Sequence, residues 1–305
     1  MSPNPNRATS AGRVFNDLRN MARNDGRSTD ELLVLYVLER FLYRVSQSKY
    51  CDRLVLKGGL LLAVLAVRRT TRDADLLAVR LDMDAQEVVH MVGEIASIEI
   101  DDGVIFDSHA ARTETIRLEG RYSGVRVVVP TSVGKAKVKL ALDINFGDPI
   151  TPGAVLNHFP QLLNDDTFPL FGYPVETVLA EKITTMVALG DLNTRDRDWA
   201  DVWRLIGIHD VGGHDVEAAL NRTAAHRDVP LRSLSAVTGA LPGLRQGPYA
   251  AWRRRQSLDA HGYPVNFADV VKHVIEFADL PLAGLAAARN WSAISRSWEP
   301  PCEDA

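Results

Sequence analysis

Residues 57–75 constrain this chain more than any other stretch. Lys57-Gly58-Gly59 leads into an apolar run of helical length. Arg69-Thr70-Thr71-Arg72-Asp73-Ala74-Asp75 follows, and then Leu76-Leu77-Ala78-Val79. The last segment reads as a strand, in which residues i and i+2 share a face. Asp73 and Asp75 would therefore project side by side, an unfavourable pairing of like charges unless a cation sits between them. Mg²⁺ suits such a site, because it prefers oxygen ligands and commonly keeps substrate phosphate oxygens among them. The two glycines allow the backbone to approach a phosphate closely, at the start of a helix whose free N–H groups favour anions.

A third acid has the same character. In Val138–Phe146, Leu140, Leu142, Ile144 and Phe146 fall on one face, with Lys139, Ala141, Asp143 and Asn145 on the other. An acid in the middle of so apolar a strand is unfavourable unless it is paired or binds metal.

These features resemble the polymerase-β-type nucleotidyltransferase superfamily, whose signature is Gly-Gly, a spacer (here Leu60 to Arg72) and Asp-x-Asp among apolar residues. The fuller form, Arg69-x-Thr71-x-Asp73-x-Asp75 behind Lys57-Gly58-Gly59, is similar to the AbiEii-type nucleotidyltransferase toxins of bacterial toxin–antitoxin systems. Three later segments extend the resemblance in the expected order. Asp143, Gly147 and Asp148 match the family's second motif, Asp-x-x-x-Gly-Asp, although Asp148 beside Pro149 also reads as a turn or capping residue. Glu176, Ala180 and Lys182 match a third, Glu-x-x-x-Ala-x-Lys. Arg195, Asp198 and Asp201 match a fourth, Arg-x-Lys-Asp-x-x-Asp, with Arg197 where lysine is usual and Asp196 where proline often stands.

The resemblance implies an α/β fold: an N-terminal polymerase-β-type nucleotidyltransferase domain, a mixed sheet flanked by helices, and a C-terminal mostly helical domain. It implies transfer of NMP from an NTP, with release of pyrophosphate, to an RNA acceptor. The acceptor implied is the 3′ end of tRNA, so that translation and growth stop. Asp73, Asp75 and Asp143 are the implied ligands of Mg²⁺ or, in its place, Mn²⁺. Lys182 and Asp198 are implied to join these acids in catalysis. Lys57, Gly58, Gly59, Arg69, Thr71 and Lys182 are implied to contact the nucleotide, with Thr71 positioning the loop before Asp73. A cognate antitoxin is the implied partner, without a stable complex being required. Taken one at a time, these residues have plainer readings. Lys57 is either a phosphate contact or a solvated lysine at a strand edge. Lys182 could lie on a helix surface, and Asp198 could serve the dipole of its own helix.

Length and charge set the frame. A chain of 305 residues is long enough for two domains. The expected division is an N-terminal arm over 1–27, the nucleotidyltransferase domain over 28–150, a helical domain over 174–290 that completes the site, and a tail over 291–305. Residues 147–174, rich in Pro, Gly, Asn and Asp, read as the segment crossing between domains. Ser28 and Glu31 have the spacing of a capping box, and Arg40 and Arg44 on the helix that follows read as a solvated face. A net charge of −4 excludes a globally basic nucleic-acid binder, so any RNA contact must be local. The helical half supplies candidates in Arg222, Arg227, Arg232, Arg245, Trp252 to Arg255, Arg289, Trp291, Arg296 and Trp298, since arginine mixed with aromatics suits RNA. Breaks in its helices are expected at Pro230, Pro242, Gly247-Pro248 and Gly262-Tyr263-Pro264. Two cysteines are too few for a disulfide framework. No apolar leader core or membrane span is evident, which predicts a cytoplasmic protein without membrane contact.

Two other functions fit parts of the sequence. A small-molecule nucleotidyltransferase shares the Gly-Gly and Asp-x-Asp core but has no need of a basic helical half. A non-catalytic nucleotide-binding module would leave one acid of the trio misplaced. RNA-dependent incorporation of nucleotide separates the first reading from both.

Overall fold

The computed structural model describes residues 6–66, 68, 71–114, 124–256 and 262–300. The chain divides into two compact units, Met1–Gly147 with Val155–Gly172 and Asp148–Ala154 with Tyr173–Ala305. Among the described residues, no helix is long and apolar enough to cross a membrane.

The first unit opens with α1 (Ser10–Asn24) and α2 (Thr29–Ser46). It continues through β1 (Leu54–Lys57), α3 (Gly58–Leu65), β2 (Ala74–Ala78), α4 (Ala85–Ala96), β3 (Val104–Phe106) and β4 (Arg112–Glu114). The strands β5 (Gly124–Val133), β6 (Ala136–Phe146), β7 (Val155–Pro160) and β8 (Thr167–Gly172) complete it. They form one mixed sheet in the order β3-β5-β6-β2-β1-β8-β7, with β4 also paired to β5. The β2–β6 and β1–β8 pairs are parallel, and β1–β2, β5–β6 and β7–β8 are antiparallel. This is the mixed α/β sheet flanked by helices that the resemblance implies. Alternation in β6 sets which face is core: Leu140, Leu142 and Ile144 are fully buried, while Asp143 and Asn145 keep partial access to solvent.

Three local expectations are corrected. Residues 155–172 do not simply cross between domains; they form the β7–β8 hairpin and extend the sheet beyond β1. Prolines and polar turn residues hide these strands in the sequence. Pro160 closes β7, and Pro169 faces His158 of β7 while β8 meets β1 at Leu56↔Gly172, so no hydrogen bond to β1 is asked of Pro169. The capping box at α2 does not form: Ser28 makes no side-chain cap, and Glu31 takes the Arg27 guanidinium at 2.8 Å instead. A capping box does form at α4, where the Asp84 carboxylate accepts from the amides of Gln86 and Glu87 and the Asp84 amide donates to the Glu87 carboxylate.

Arg40 and Arg44 are the third correction, because both are buried rather than solvated. Arg40 bonds Glu39 at 3.0 Å and Gln161 at 2.6 Å. Glu39 also receives Arg68 at 3.0 Å, and Arg68 bonds the Pro160 carbonyl, which ties the loop after α3 to α2 and β7. Burial pushes the Glu39 carboxyl above the usual carboxylate range, while the charges of Arg68 and Arg40 pull it back. Arg44 makes a two-point pair with Asp102 at 2.6 and 3.3 Å. Arg44→Met should leave Asp102 buried without its cation and destabilise the protein by about 3–5 kcal/mol. Urea unfolding followed by circular dichroism checks this, and a loss below about 1 kcal/mol would show that water replaces the pair.

In the second unit, α5 (Val175–Leu189), α6 (Asp196–Leu205), α7 (Gly213–Arg227), α8 (Leu234–Val237), α9 (Leu241–Arg254) and α10 (Phe267–Leu282) predominate. A small antiparallel sheet of β9 (Val211–Gly212), β10 (Asn290–Ser292) and β11 (Ser297–Glu299) accompanies them. Pro242 sits in the first turn of α9, where its missing N–H is harmless, but Pro248 lies inside α9 without ending it. Trp199, Tyr249, Phe267, Phe277 and Trp291 form the aromatic interior.

Candidate active site

The sequence acids are gathered by strand register. Across the first unit's sheet, Lys57 pairs with Asp75, Asp75 with Asp143, and Asp143 with Arg126. Directly registered neighbours project from the same face. The four adjacent strands β1, β2, β6 and β5 thus carry a row of charges in the order plus, minus, minus, plus. Arg126 has no motif around it, and nothing in the sequence marks it. Its guanidinium grips Asp143 through Nε and Nη2 at 2.6 Å each, and Nη2 lies 3.3 Å from Asp73. The hydrogen bonds to Asp143 raise the pKa of this arginine above its ordinary value.

The glycine pair has a steric function in this row. Gly58 opens α3 with φ +65°, and a Cβ built on it would lie 2.0 Å from Oδ2 of Asp75. Gly58 therefore makes room for the Asp75 carboxylate, and Gly59 is buried in the first turn of α3. Lys57 is buried at 6% exposure, which excludes the reading of a solvated strand-edge lysine. Thr71 stands before Asp73 and donates from its hydroxyl toward the Asp73 carbonyl and carboxylate at 3.3 and 3.2 Å. Arg69 lies outside the described residues.

The second unit gathers the remaining motif residues. Lys182 on α5 donates to Asp198 at 2.6 Å and Asp201 at 2.8 Å, both on α6. Asp198 and Asp201 share a helix face by their spacing of three, and both aim at one ammonium. Asp196, at the position often held by proline, is gripped by Arg245 of α9 at 2.7 and 2.8 Å. Burial raises the carboxyl pKa of Glu176, with Asp215 adding to the effect. Asp148 lies 3.3 Å from His226 on α7.

Several residues expected to offer an RNA surface are occupied internally. Arg227 pairs with Glu181 at 2.8 Å, and Arg245 with Asp196. Trp291 donates to the Ile206 carbonyl at 2.7 Å, Trp298 donates to the Phe277 carbonyl at 2.9 Å, and Arg296 lies over the Trp203 ring. Arg222, Arg232, Arg254, Arg255 and Arg289 are exposed.

Asp73, Asp75 and Asp143 suit a hard divalent cation. They offer only carboxylate oxygens, and a positive group already lies against Asp143 and Asp73. Among the described residues, no group of three or more acidic, histidine or cysteine side chains is arranged to hold a metal ion. Both oxygens of Asp143 face the guanidinium.

The family described as Nucleotidyl transferase AbiEii toxin, Type IV TA system, matches residues 40–294. No curated protein matches the chain. Among solved structures, JHP933 from Helicobacter pylori is 14% identical with a TM-score of 0.49, over 85% of this chain and 94% of that one. A candidate nucleotidyltransferase from H. pylori gives the same identity and TM-score, over 85% of this chain and 97% of its own.

Proposed function

Because the chain belongs to the AbiEii nucleotidyltransferase toxin family and is a nucleotidyltransferase, we propose that it moves NMP from an NTP onto RNA, at the 3′ end of tRNA, and so arrests growth in the cytoplasm. The observation that supports this most is the registered placement of Asp75 and Asp143 on neighbouring strands, with Asp73 two residues before Asp75. A divalent cation, Mg²⁺ or Mn²⁺, held by these three carboxylates would neutralise triphosphate charge and acidify the acceptor hydroxyl.

The chain's own residues do the rest. The N-terminal amides of α3, at Gly58 and Gly59, would donate to phosphate oxygens, as helix N-termini do. Lys57 balances Asp75 from the adjacent strand and adds positive charge for the nucleotide. Thr71 fixes the approach to Asp73. Lys182 supplies a compact charge for the leaving pyrophosphate, and Asp198 and Asp201 hold its ammonium in place. Arg69 is assigned to the same phosphates by its motif alone. The helical domain over 174–290 is the RNA-binding part, through Arg222, Arg232, Arg254, Arg255 and Arg289. A cognate antitoxin neutralises the enzyme.

The internal use of Arg227, Arg245, Trp291 and Trp298 favours keeping a second acceptor class, a small molecule or a protein. Label transfer decides between them. The protein is incubated with Mg²⁺, total tRNA and each α-³²P-labelled NTP in turn, beside an Asp75→Asn control. The expected result is an RNA band that needs Mg²⁺ and is lost in the control. Folded protein that binds NTP but labels no RNA would overturn the tRNA reading.

A further inference from the structure

Arg126 is the unexplained member of the charge row. It faces Asp143 directly in the β5–β6 ladder and engages both carboxylate oxygens, a fork-to-fork pair of the strongest type. Its Nη2 is shared with Asp73, so one side chain spans two of the three acids that the proposed function assigns to metal. The pair is not deep in the core: Arg126 is 31% exposed, Asp143 17% and Asp73 37%. It can therefore open without unfolding the sheet.

The guanidinium has a physical reason to be there. Asp75 and Asp143 are directly registered on adjacent strands, and like charges in that relation repel. Lys57 balances the row from one end and Arg126 from the other. A divalent cation needs the same oxygens. Mg²⁺ binds oxygen at about 2.0–2.1 Å, so it cannot share a carboxylate edge with a guanidinium already bonded to it. A divalent charge and an arginine at such separation also repel strongly.

We propose that Arg126 is a resident counter-ion that holds Asp143 and Asp73 in the metal-free protein and must leave Asp143 when divalent metal binds, thereby setting the metal concentration at which the site loads. The inference rests on reading Asp73, Asp75 and Asp143 as metal ligands. Arg126 is thus a positioning residue: it keeps the acids aligned while empty and weakens the apparent affinity of the site by competition.

The test measures metal binding directly, without nucleotide or turnover. Free Mn²⁺ is followed by electron paramagnetic resonance as it is titrated into the wild type, Arg126→Gln, Arg126→Lys and Asp143→Asn. Arg126→Gln should bind Mn²⁺ at least about tenfold more tightly than the wild type, since the bidentate pair no longer competes. Arg126→Lys, which keeps the charge but loses the fork, should fall between them, and Asp143→Asn should bind more weakly than the wild type. The rise in melting temperature on adding Mn²⁺ should be larger for Arg126→Gln than for the wild type. A folded Arg126→Gln whose affinity is equal or weaker overturns the proposal. If neither protein binds Mn²⁺ at millimolar metal, the metal reading of the three acids fails and the competition with it, a result told apart by the silent wild type. Should Arg126→Gln not fold, the wild type decides. The Arg126 Nε–H resonance, assigned by its loss in Arg126→Lys, should move on saturation with Mg²⁺, and a resonance that stays fixed overturns the proposal.

Discussion

Asp75→Asn is expected to lower nucleotidyl transfer on the order of 10³-fold while leaving the protein folded. Asparagine keeps the volume that packs over Gly58, so the sheet has no reason to rearrange. What it removes is the charge at the centre of the row, between Lys57 and Asp143. The row then carries net positive charge and loses an anionic oxygen for a divalent ion. Single-turnover label transfer, read with the melting curve of the same preparation, checks both halves. A variant that melts like the wild type and retains more than about a tenth of the rate would remove Asp75 from the proposed chemistry. Raising Mg²⁺ should recover little of the lost rate, because an amide oxygen is a poor substitute for a carboxylate at a hard cation.

Gly58→Ala should be nearly as damaging, through a different route. The backbone at φ +65° disfavours any Cβ by about 1–2 kcal/mol. The added methyl would also meet Asp75 Oδ2 at 2.0 Å and Asp75 Cβ at 2.9 Å. Overpacking of that kind typically adds about 1–3 kcal/mol, and here relief requires the carboxylate to leave its place. Both stability and activity should therefore fall. A double-mutant cycle separates the two contributions. Placing Gly58→Ala on an Asp75→Ala background removes the closest contact, so the extra destabilisation should shrink, leaving the backbone term and the 2.9 Å approach to the Cβ at position 75. Equal losses on both backgrounds would show that the close approach of Gly58 and Asp75 does not matter energetically.

Much of the first unit could be read in advance. Alternation in Val138–Phe146 separates Leu140, Leu142 and Ile144 from Asp143, because a strand repeats every two residues whatever its surroundings. The resemblance read from the four motifs agrees with the family match over residues 40–294, since local chemistry at fixed spacing is visible without knowledge of neighbours. The hairpin at 155–172 was not legible, because its prolines break the local pattern while the partner strand supplies the pairing. Nor was the burial of Arg44, whose partner Asp102 stands 58 residues away in the chain. The aromatic and arginine run of the helical half has the same composition whether it faces RNA or its own core. Packing alone turned Trp291 and Arg245 inward.

By itself, the sequence marked the glycine pair, Asp73, Asp75 and Asp143 by their short-range pattern, and Lys182, Asp198 and Asp201 by their resemblance to the family's later motifs. Tertiary structure alone decided that Asp75 lies beside Asp143, that Gly58 yields its space to Asp75, and that Arg126 grips Asp143. Register between distant strands is set by the whole sheet, with one residue of slip turning every side chain to the other face. A counter-charge such as Arg126 therefore has no local signature, because its meaning lies in which strand it comes to face.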